Sequence, residues 1–258
     1  MSRLHSTAIV HPEAKLHPSV EVGAYAVIGP KVRIGAGSKI GPHAVIDGDT
    51  VLGERNRVWQ FASVGAEPQD LKYAGEDTQL VVGDDNMIRE FTTLHKGTVG
   101  GGGVTKIGNK NLFMAYSHVA HDCQVANGCV FANSATLAGH VEVGDFVTVG
   151  GLSAVHQFTR IGKYAFIAGG SMVVMDVPPY CTAQGDRAEL VGLNTVGLTR
   201  RGFTDEQLRR VKEAYRLMFR SKLGFNEGLA QVRAELGEHP ELEEFIGFLT
   251  TSKRGITR

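Results

Sequence analysis

His118, His121, His140 and His156 fall close together in the chain, and Asp122 directly follows the second of them. If the chain stacks on itself every 18 residues, Gly139 comes to lie beside His121, and His140 beside Asp122. Acyl transfer to a hydroxyl needs this set: an imidazole to take the proton, a carboxylate to orient that imidazole, and a backbone N–H to receive the oxyanion. Three histidines on facing coils could instead hold a zinc ion and leave one position open to water. The spacing leaves that rival open. It ranks lower because an aspartate follows His121 and nothing else in the chain resembles a dedicated metal motif. His5, His11, His17, His43 and His239 read as ordinary solvated side chains.

The elements that must position these groups announce themselves by a period of six. Val10, Leu16, Val22, Ile28, Ile34, Ile40, Ile46, Leu52, Val58 and Val64 keep one register; it returns at Val82, Ile88 and Leu94, and again from Ile107 to Val173. Glycine often follows the aliphatic residue, as at Gly23, Gly29, Gly35 and Gly41. The fourth position after it is small, as at Ala26, Ser38, Ala44 and Ala135. Six is neither the helical 3.6 nor a sustained alternation, and it suits short extended segments joined by tight bends in which glycine supplies positive φ. Hexapeptide periodicity marks a parallel β-helix, with three hexads to a coil. Two insertions, Ala66 to Gln79 and Gly97 to Thr105, interrupt one repeat. No long helical pattern separates the strands, which excludes an α/β domain.

The 258 residues hold 33 glycines, nearly twice the usual share of about 7%, and 27 basic against 27 acidic side chains. Zero net charge excludes a general nucleic-acid binder held by phosphate neutralisation. No apolar run approaches the roughly 18 residues of a membrane span, and Met1 to Ala14 lacks the apolar stretch of a secretory signal, so the expected compartment is the cytoplasm. Cys123 and Cys129 occupy one small-residue slot in consecutive hexads and read as packed hydrophobes rather than nucleophiles.

Pro178 and Pro179 end the repeat. Beyond about Arg200 the pattern becomes helical: Thr204 with Gln207 reads as a capping box, Leu208, Val211, Tyr215 and Met218 form an apolar stripe, and further amphipathic stretches begin near Asn226 and Pro240. The expected division is a β-helix over 1–185 and a helical domain over 186–258. Arg209, Lys212, Arg216 and Arg220 form a basic edge opposite the stripe, and Thr199 to Lys222 carries a net +5. Such an edge is usually a solvated face; an acidic protein partner is the sharper reading. The run Gly100 to Gly103 is not a phosphate loop, since no Gly-Lys-Ser/Thr follows, and reads as a flexible bend. Gln69, Asp70 and Lys72 in the first insertion are polar groups suited to a sugar nucleotide, or to a bland surface loop.

Several segments resemble one family. They are Pro68-Gln69-Asp70-Leu71-Lys72-Tyr73, Met114-Ala115-Tyr116-Ser117-His118 through His121-Asp122, Leu137-Ala138-Gly139-His140-Val141, Val155-His156-Gln157-Phe158, Asp176-Val177-Pro178-Pro179-Tyr180, Arg200-Arg201-Gly202-Phe203 and Arg254-Gly255-Ile256-Thr257-Arg258. Together they are similar to the UDP-N-acetylglucosamine O-acyltransferases that begin lipid A synthesis, and the resemblance spans nearly the whole chain. It implies a left-handed, three-sided β-helix and transfer of an (R)-3-hydroxyacyl chain from acyl carrier protein to the glucosamine 3-hydroxyl. No cofactor is implied beyond the carrier's phosphopantetheine, and no metal. By the same resemblance His121 is the general base, Asp122 its orienting partner and Gly139 N–H the oxyanion donor. Gln69, Asp70, Lys72, His95, His118, His140, His156 and Gln157 bind substrate, with Asn194, Arg200 and Arg201 near the nucleotide or carrier end. Gly169 takes the acyl-chain ruler position, and Arg209, Lys212, Arg216 and Arg220 form the carrier's docking edge. A homotrimer with sites between subunits is implied. The family usually has an acidic residue two places after Asn194, where this chain has Val196. The sister N-acyltransferase carries an extra domain ahead of its hexads, whereas this repeat begins by Val10. Acetyl-CoA-dependent hexapeptide enzymes are the next alternative, and the helical tail with its basic edge argues against them.

Overall fold

The structure, a computed structural model, describes residues 3–258. Most hexads contribute one two-residue strand, such as Val27–Ile28, Arg33–Ile34 and Lys39–Ile40. Successive strands fall on three sheets of 11, 9 and 8 strands, so the chain winds round a three-sided prism. Pairing is parallel until the end of the repeat. Val27 pairs with Val45 and Lys39 with Arg57, an interval of 18 residues. Across the first loop the interval grows to 30 (Arg57 with Met87), and across the second to 25 (Met87 with Leu112).

The period of six follows from what the prism must bury. Each aliphatic position points inward, as Ile28, Ile34, Ile40 and Ile46 do with at most 3% of their surface exposed. Each such burial stabilises the coil by roughly 1.5–3 kcal/mol. The small residues, among them Ala26, Ala44, Ala135 and Ser171, are fully buried where the chain turns inward. Cys123 and Cys129 share this slot; both are fully buried, and burial pushes their thiols up to about 12.

The glycines serve a different purpose from the one expected. Gly35 and Gly41 do not have left-handed φ; a Cβ on either would come within 3.0 Å of the next coil's backbone, so glycine is required for close stacking. Glycine takes a few of the left-handed corners, at Gly37, Gly128 and Gly170, but most are borne by residues with side chains, including Tyr25, His43, Phe61, Phe91 and Tyr116, with φ between 57° and 64°. That conformation costs roughly 1–2 kcal/mol per residue. Along this edge the rings stack one above another with centroids 4.9–5.3 Å apart. Aromatic stacking, worth about 0.5–1.5 kcal/mol a pair, offsets much of the cost.

Both loops leave from one edge of the prism. The first lies between strands Ser63–Ala66 and Gln79–Val82, and the second between Thr93–His95 and Val104–Ile107, with a 3-10 turn at Val99–Gly101. On the coils that follow, the same edge carries Asp122, His140 and Phe158, each in left-handed conformation. Sequence positions far apart are thereby brought to one line.

After Pro179 the strand Cys181–Gln184 adds once more to the first sheet, then turns back against Glu189–Leu193, antiparallel. The position between residues 185 and 186 falls inside this hairpin turn. Four helices follow: α1 (Thr195–Arg200), α2 (Asp205–Tyr215), α3 (Phe225–Leu236) and α4 (Pro240–Thr251). The capping box forms at α2, with Thr204 Oγ1 accepting from Gln207 N and the Gln207 side chain accepting from Thr204 N. Val211, Tyr215, Phe245 and Leu249 pack in one buried cluster, and Arg210 donates to the buried Glu241 at 2.6 Å, tying α2 to α4. Among the described residues no helix is long and apolar enough to cross a membrane.

Candidate active site

His121 follows strand His118–Val119 at the edge from which the two loops depart. Its Nδ1 lies 2.8 Å from Asp122 Oδ2. An ionised carboxylate only accepts, so Nδ1 carries the hydrogen and Nε2 keeps a lone pair. Asp122 has no exposed side-chain surface. Its Oδ1 accepts from Thr98 N at 2.8 Å and its Oδ2 from Thr98 Oγ1 at 2.6 Å, while its own N–H donates to Thr105 Oγ1 at 2.7 Å. The second loop therefore clamps the carboxylate. Gly101 lies directly over it, since a Cβ there would fall 1.9 Å from Asp122 Cγ. The glycine run expected to be a flexible bend is a lid that admits no side chain at this point.

Gly139 occupies the next coil. A Cβ on it would fall 2.5 Å from His121 Cε1, so glycine lets backbone lie against the imidazole. Its carbonyl accepts from Phe158 N at 3.1 Å, and among the described residues its N–H has no acceptor. An imidazole with a free lone pair and an unoccupied N–H stand together, as proton abstraction and oxyanion binding require.

Three further histidines crowd this base. His140 stacks on Phe158 at 4.4 Å, meets His121 edge-on at 5.1 Å, and brings Nε2 to 3.7 Å from Asp122 Oδ2. His118 Nδ1 lies 2.6 Å from Thr93 Oγ1, and His95 meets the His118 ring edge-on at 4.9 Å. Burial disfavours protonation of all three, with nearby His121 adding to the effect; His95 falls to about 4. They enter the site as neutral hydrogen-bonding groups rather than cations.

The cleft beside them encloses about 840 Å³, bordered by Gly101, Asp122, His140, Arg160 and Arg254. Asp70 lies within electrostatic reach of His140, and its Oδ1 accepts from Lys72 N at 3.0 Å in the first loop. Gln69 and Lys72 belong to that loop, and Lys72 is exposed. His156 and Gln157 are exposed one coil beyond Gly139, and His156 Nδ1 lies 2.8 Å from an Arg254 amino group. Asn194 caps α1, accepting from Gly197 N at 3.1 Å and donating to Tyr164 O at 2.9 Å. Arg201 covers the Phe146 ring at 4.5 Å, and Arg200 is exposed nearby in sequence. Phe146 stands on a different edge from His121, so one chain alone does not bring Asn194, Arg200 and Arg201 to the His121 cleft. Gly169 lies on the third edge, beside Gly170.

On the helical side Arg209 and Lys212 are exposed, and Arg216 donates to Glu213 in three contacts of 2.5–3.0 Å. Arg220, though exposed, reaches back to the hairpin and to its own helix, donating to Leu190 O at 2.7 Å and Tyr215 Oη at 2.8 Å. The cause is a π-helical turn over Arg216–Arg220, which widens the spacing and takes Arg220 off the expected line. Thr98, Gly101, Thr93 and Arg254 were not singled out by sequence reasoning as site residues. For Thr98 a signal existed: once the second loop sets the interval to 25, Gly97 lies opposite Asp122, and Thr98 is its neighbour.

A three-sided hexapeptide coil carrying a His–Asp pair beneath a free glycine amide defines an acyltransferase of the hexapeptide-repeat class, and a bacterial transferase hexapeptide model matches residues 104–139. A second model, UDP N-acetylglucosamine O-acyltransferase domain 2, matches 176–257. The chain is 68% identical over its full length to the acyl-[acyl-carrier-protein]–UDP-N-acetylglucosamine O-acyltransferase of Myxococcus xanthus, covering all of both chains. It is 52% identical to that of Herminiimonas arsenicoxydans, again over all of both. Among solved structures, LpxA from Acinetobacter baumannii superposes with a TM-score of 0.96 at 45% identity, covering 99% of this chain and 100% of that one. UDP-N-acetylglucosamine acyltransferase from Francisella novicida gives 0.95 at 40% identity, covering 99% and 94%. The chain belongs to the acyl-[acyl-carrier-protein]–UDP-N-acetylglucosamine O-acyltransferase family, and its fold is the left-handed parallel β-helix with a C-terminal helical part.

Proposed function

We propose that this chain transfers an (R)-3-hydroxyacyl group from acyl carrier protein to the 3-hydroxyl of UDP-N-acetylglucosamine, opening lipid A synthesis. The observation that carries the mechanism is the His121–Asp122 pair against the Gly139 amide. His121 Nε2 takes the sugar hydroxyl's proton as its oxygen attacks the thioester carbonyl. Gly139 N–H receives the oxyanion, and the proton passes from His121 to the departing thiolate. Asp122 holds the ring's hydrogen on Nδ1 and stabilises the imidazolium that forms between the two steps. The surrounding neutral histidines, with Gln69, Asp70, Lys72 and Gln157, bind the sugar nucleotide.

Asn194, Arg200 and Arg201 lie on another edge of the same chain, which supports a homotrimer in which a second copy supplies the nucleotide end. The β-helix carries the chemistry and the C-terminal helical domain the carrier contacts, in the cytoplasm where the carrier and nucleotide substrates meet. The reaction draws on no cofactor apart from the carrier's phosphopantetheine. The zinc alternative expected three histidines; the ligand atoms that lie within 4.8 Å of one another are those of two histidines and the aspartate, His121, His140 and Asp122. Asp122 already accepts three hydrogen bonds, two of them on the Oδ2 that faces His121, so its carboxylate is held as the partner of the base. Replacing His121 with Ala should lower turnover by roughly 100- to 10,000-fold and leave assembly intact. Turnover near normal would point to another base. Activity lost to a chelator and restored by zinc would favour the metal.

A further inference from the structure

The segment after α4 folds back across the top of the β-helix and enters the cleft. Asp176, fully buried, holds it: Ser252 Oγ donates to Asp176 Oδ2 at 2.7 Å, Thr257 N donates to Asp176 O at 2.9 Å, and Asp176 N donates to Gly255 O at 2.9 Å. Between these fastenings Arg254 is fixed at both ends of its guanidinium. Its Nε donates to Val174 O at 2.7 Å, and one amino nitrogen lies 2.8 Å from His156 Nδ1.

A guanidinium has five N–H donors and no acceptor, and it does not lose a proton in a protein. The nitrogen facing it must therefore supply the lone pair. The Gln157 carbonyl also lies 3.2 Å from His156 Nδ1; a hydrogen pointed at that carbonyl would leave the shorter 2.8 Å contact with no acceptor. We infer that Arg254 is a positioning residue that fixes His156 with a bare Nδ1 and its hydrogen on Nε2. His156 is then a donor to an acceptor oxygen of the substrate and is not a second base. His121 is held the opposite way, because its Nδ1 faces a carboxylate: one ring presents a lone pair to the cleft side and the other an N–H. Among the described residues His156 Nε2 has no protein acceptor. The role assigned to the donor rests on the sugar-nucleotide reading; the position of the hydrogen does not.

Two measurements test this separately. In the full-length protein labelled with ¹⁵N-histidine and free of substrate, His156 Nδ1 should resonate as an unprotonated ring nitrogen and Nε2 as a protonated one. Arg254→Met should turn that signal into a tautomer mixture. A protonated Nδ1 in the parent protein, or a signal unchanged in the variant, overturns the inference whatever the enzyme acts on. The second measurement is a kinetic cycle. Arg254→Met should raise KM for UDP-N-acetylglucosamine about five- to tenfold, the scale of one lost hydrogen bond, with a smaller change in kcat. Arg254→Lys should recover part of it. His156→Gln places an amide N–H near the Nε2 position regardless of Arg254, so adding Arg254→Met in that background should change KM by less than about twofold. An equal cost in both backgrounds would mean that Arg254 merely fastens the segment, and would overturn the positioning role.

Discussion

Asp122 sits at a left-handed corner, where it carries strain, yet every oxygen lone pair it uses is met by a donor of fixed position. Thr98 supplies two of those donors, so orientation of the base depends on a loop residue that touches neither substrate nor imidazole. Thr98→Val keeps the shape and removes the hydroxyl; kcat should drop about tenfold or more, as expected for losing a hydrogen bond to a charged group, with KM little changed. Thr98→Ser should restore most of it. A valine variant with parental kcat would show that the backbone N–H alone suffices. His95 makes a second claim at this scale. Its folded-state value of about 4 lies below the ordinary 6.5, so the unfolded chain binds the extra proton between those limits. Its contribution to stability is then full above about pH 6.5 and is lost as pH falls towards 4. His118 and His140 shift in the same direction. Urea unfolding from pH 7 to 4.5 should show that slope, reduced in His95→Asn; an equal slope in the variant would place its origin elsewhere. The His121–Asp122–Gly139 contact was legible because all three residues lie on uninterrupted 18-residue coils. Thr98 was traceable only through the interval of 25 that sets its neighbour Gly97 opposite Asp122, and Gly101, deeper in the inserted loop, has no period from which to project its path.

At the scale of elements, the hexads revealed the strands while concealing the purpose of the glycines. Spacing shows that a small residue is required, but it does not distinguish a left-handed turn from a backbone pressed against its neighbour. The stacked Tyr25–His43–Phe61–Phe91–Tyr116 edge escaped notice because the loops change its interval from 18 to 30 and then 25. His43, read as a solvated residue, is exposed and is also one ring of this stack. In the helical part the capping box fixed the start of α2 correctly, and the π turn at its end could not be anticipated from apolar spacing. That turn redistributes the basic edge. Arg209 and Lys212 have no ion pair among the described residues, Arg216 is paired with Glu213, and Arg220 serves the hairpin. Charge reversal at Arg209 and Lys212 should therefore raise KM for acyl carrier protein several-fold and flatten its salt dependence, leaving KM for the sugar nucleotide unchanged. Arg220→Glu should chiefly lower stability. Carrier kinetics indifferent to the first pair would make this face an ordinary solvated one.

Over the whole molecule, three edges divide the work: one holds the base and its loops, one faces Asn194 and Arg201, and one carries Gly169. Gly169 has no side chain to obstruct a groove beside it, so a donor of about 14 carbons should be preferred over one of about 10, each buried methylene being worth roughly 0.8 kcal/mol. Competition between the two loaded carriers should show that preference, and Gly169→Met should move it towards the shorter chain; a variant with unchanged preference would assign the limit to another residue, such as the nearby Met172. The prism itself also has a mechanical signature. Each coil touches only those above and below it, so its stability is nearly a sum along one dimension. Pulled out from its helical cap, the chain would come away one coil at a time. At roughly 3.4 Å per extended residue, ordinary coils of 18 residues would each release about 60 Å, and the two with loops, of 25 and 30, about 85 and 100 Å. The two loops that bring substrate-binding groups and the Asp122 clamp to one edge would thus be readable, in order, as two long steps in a force trace.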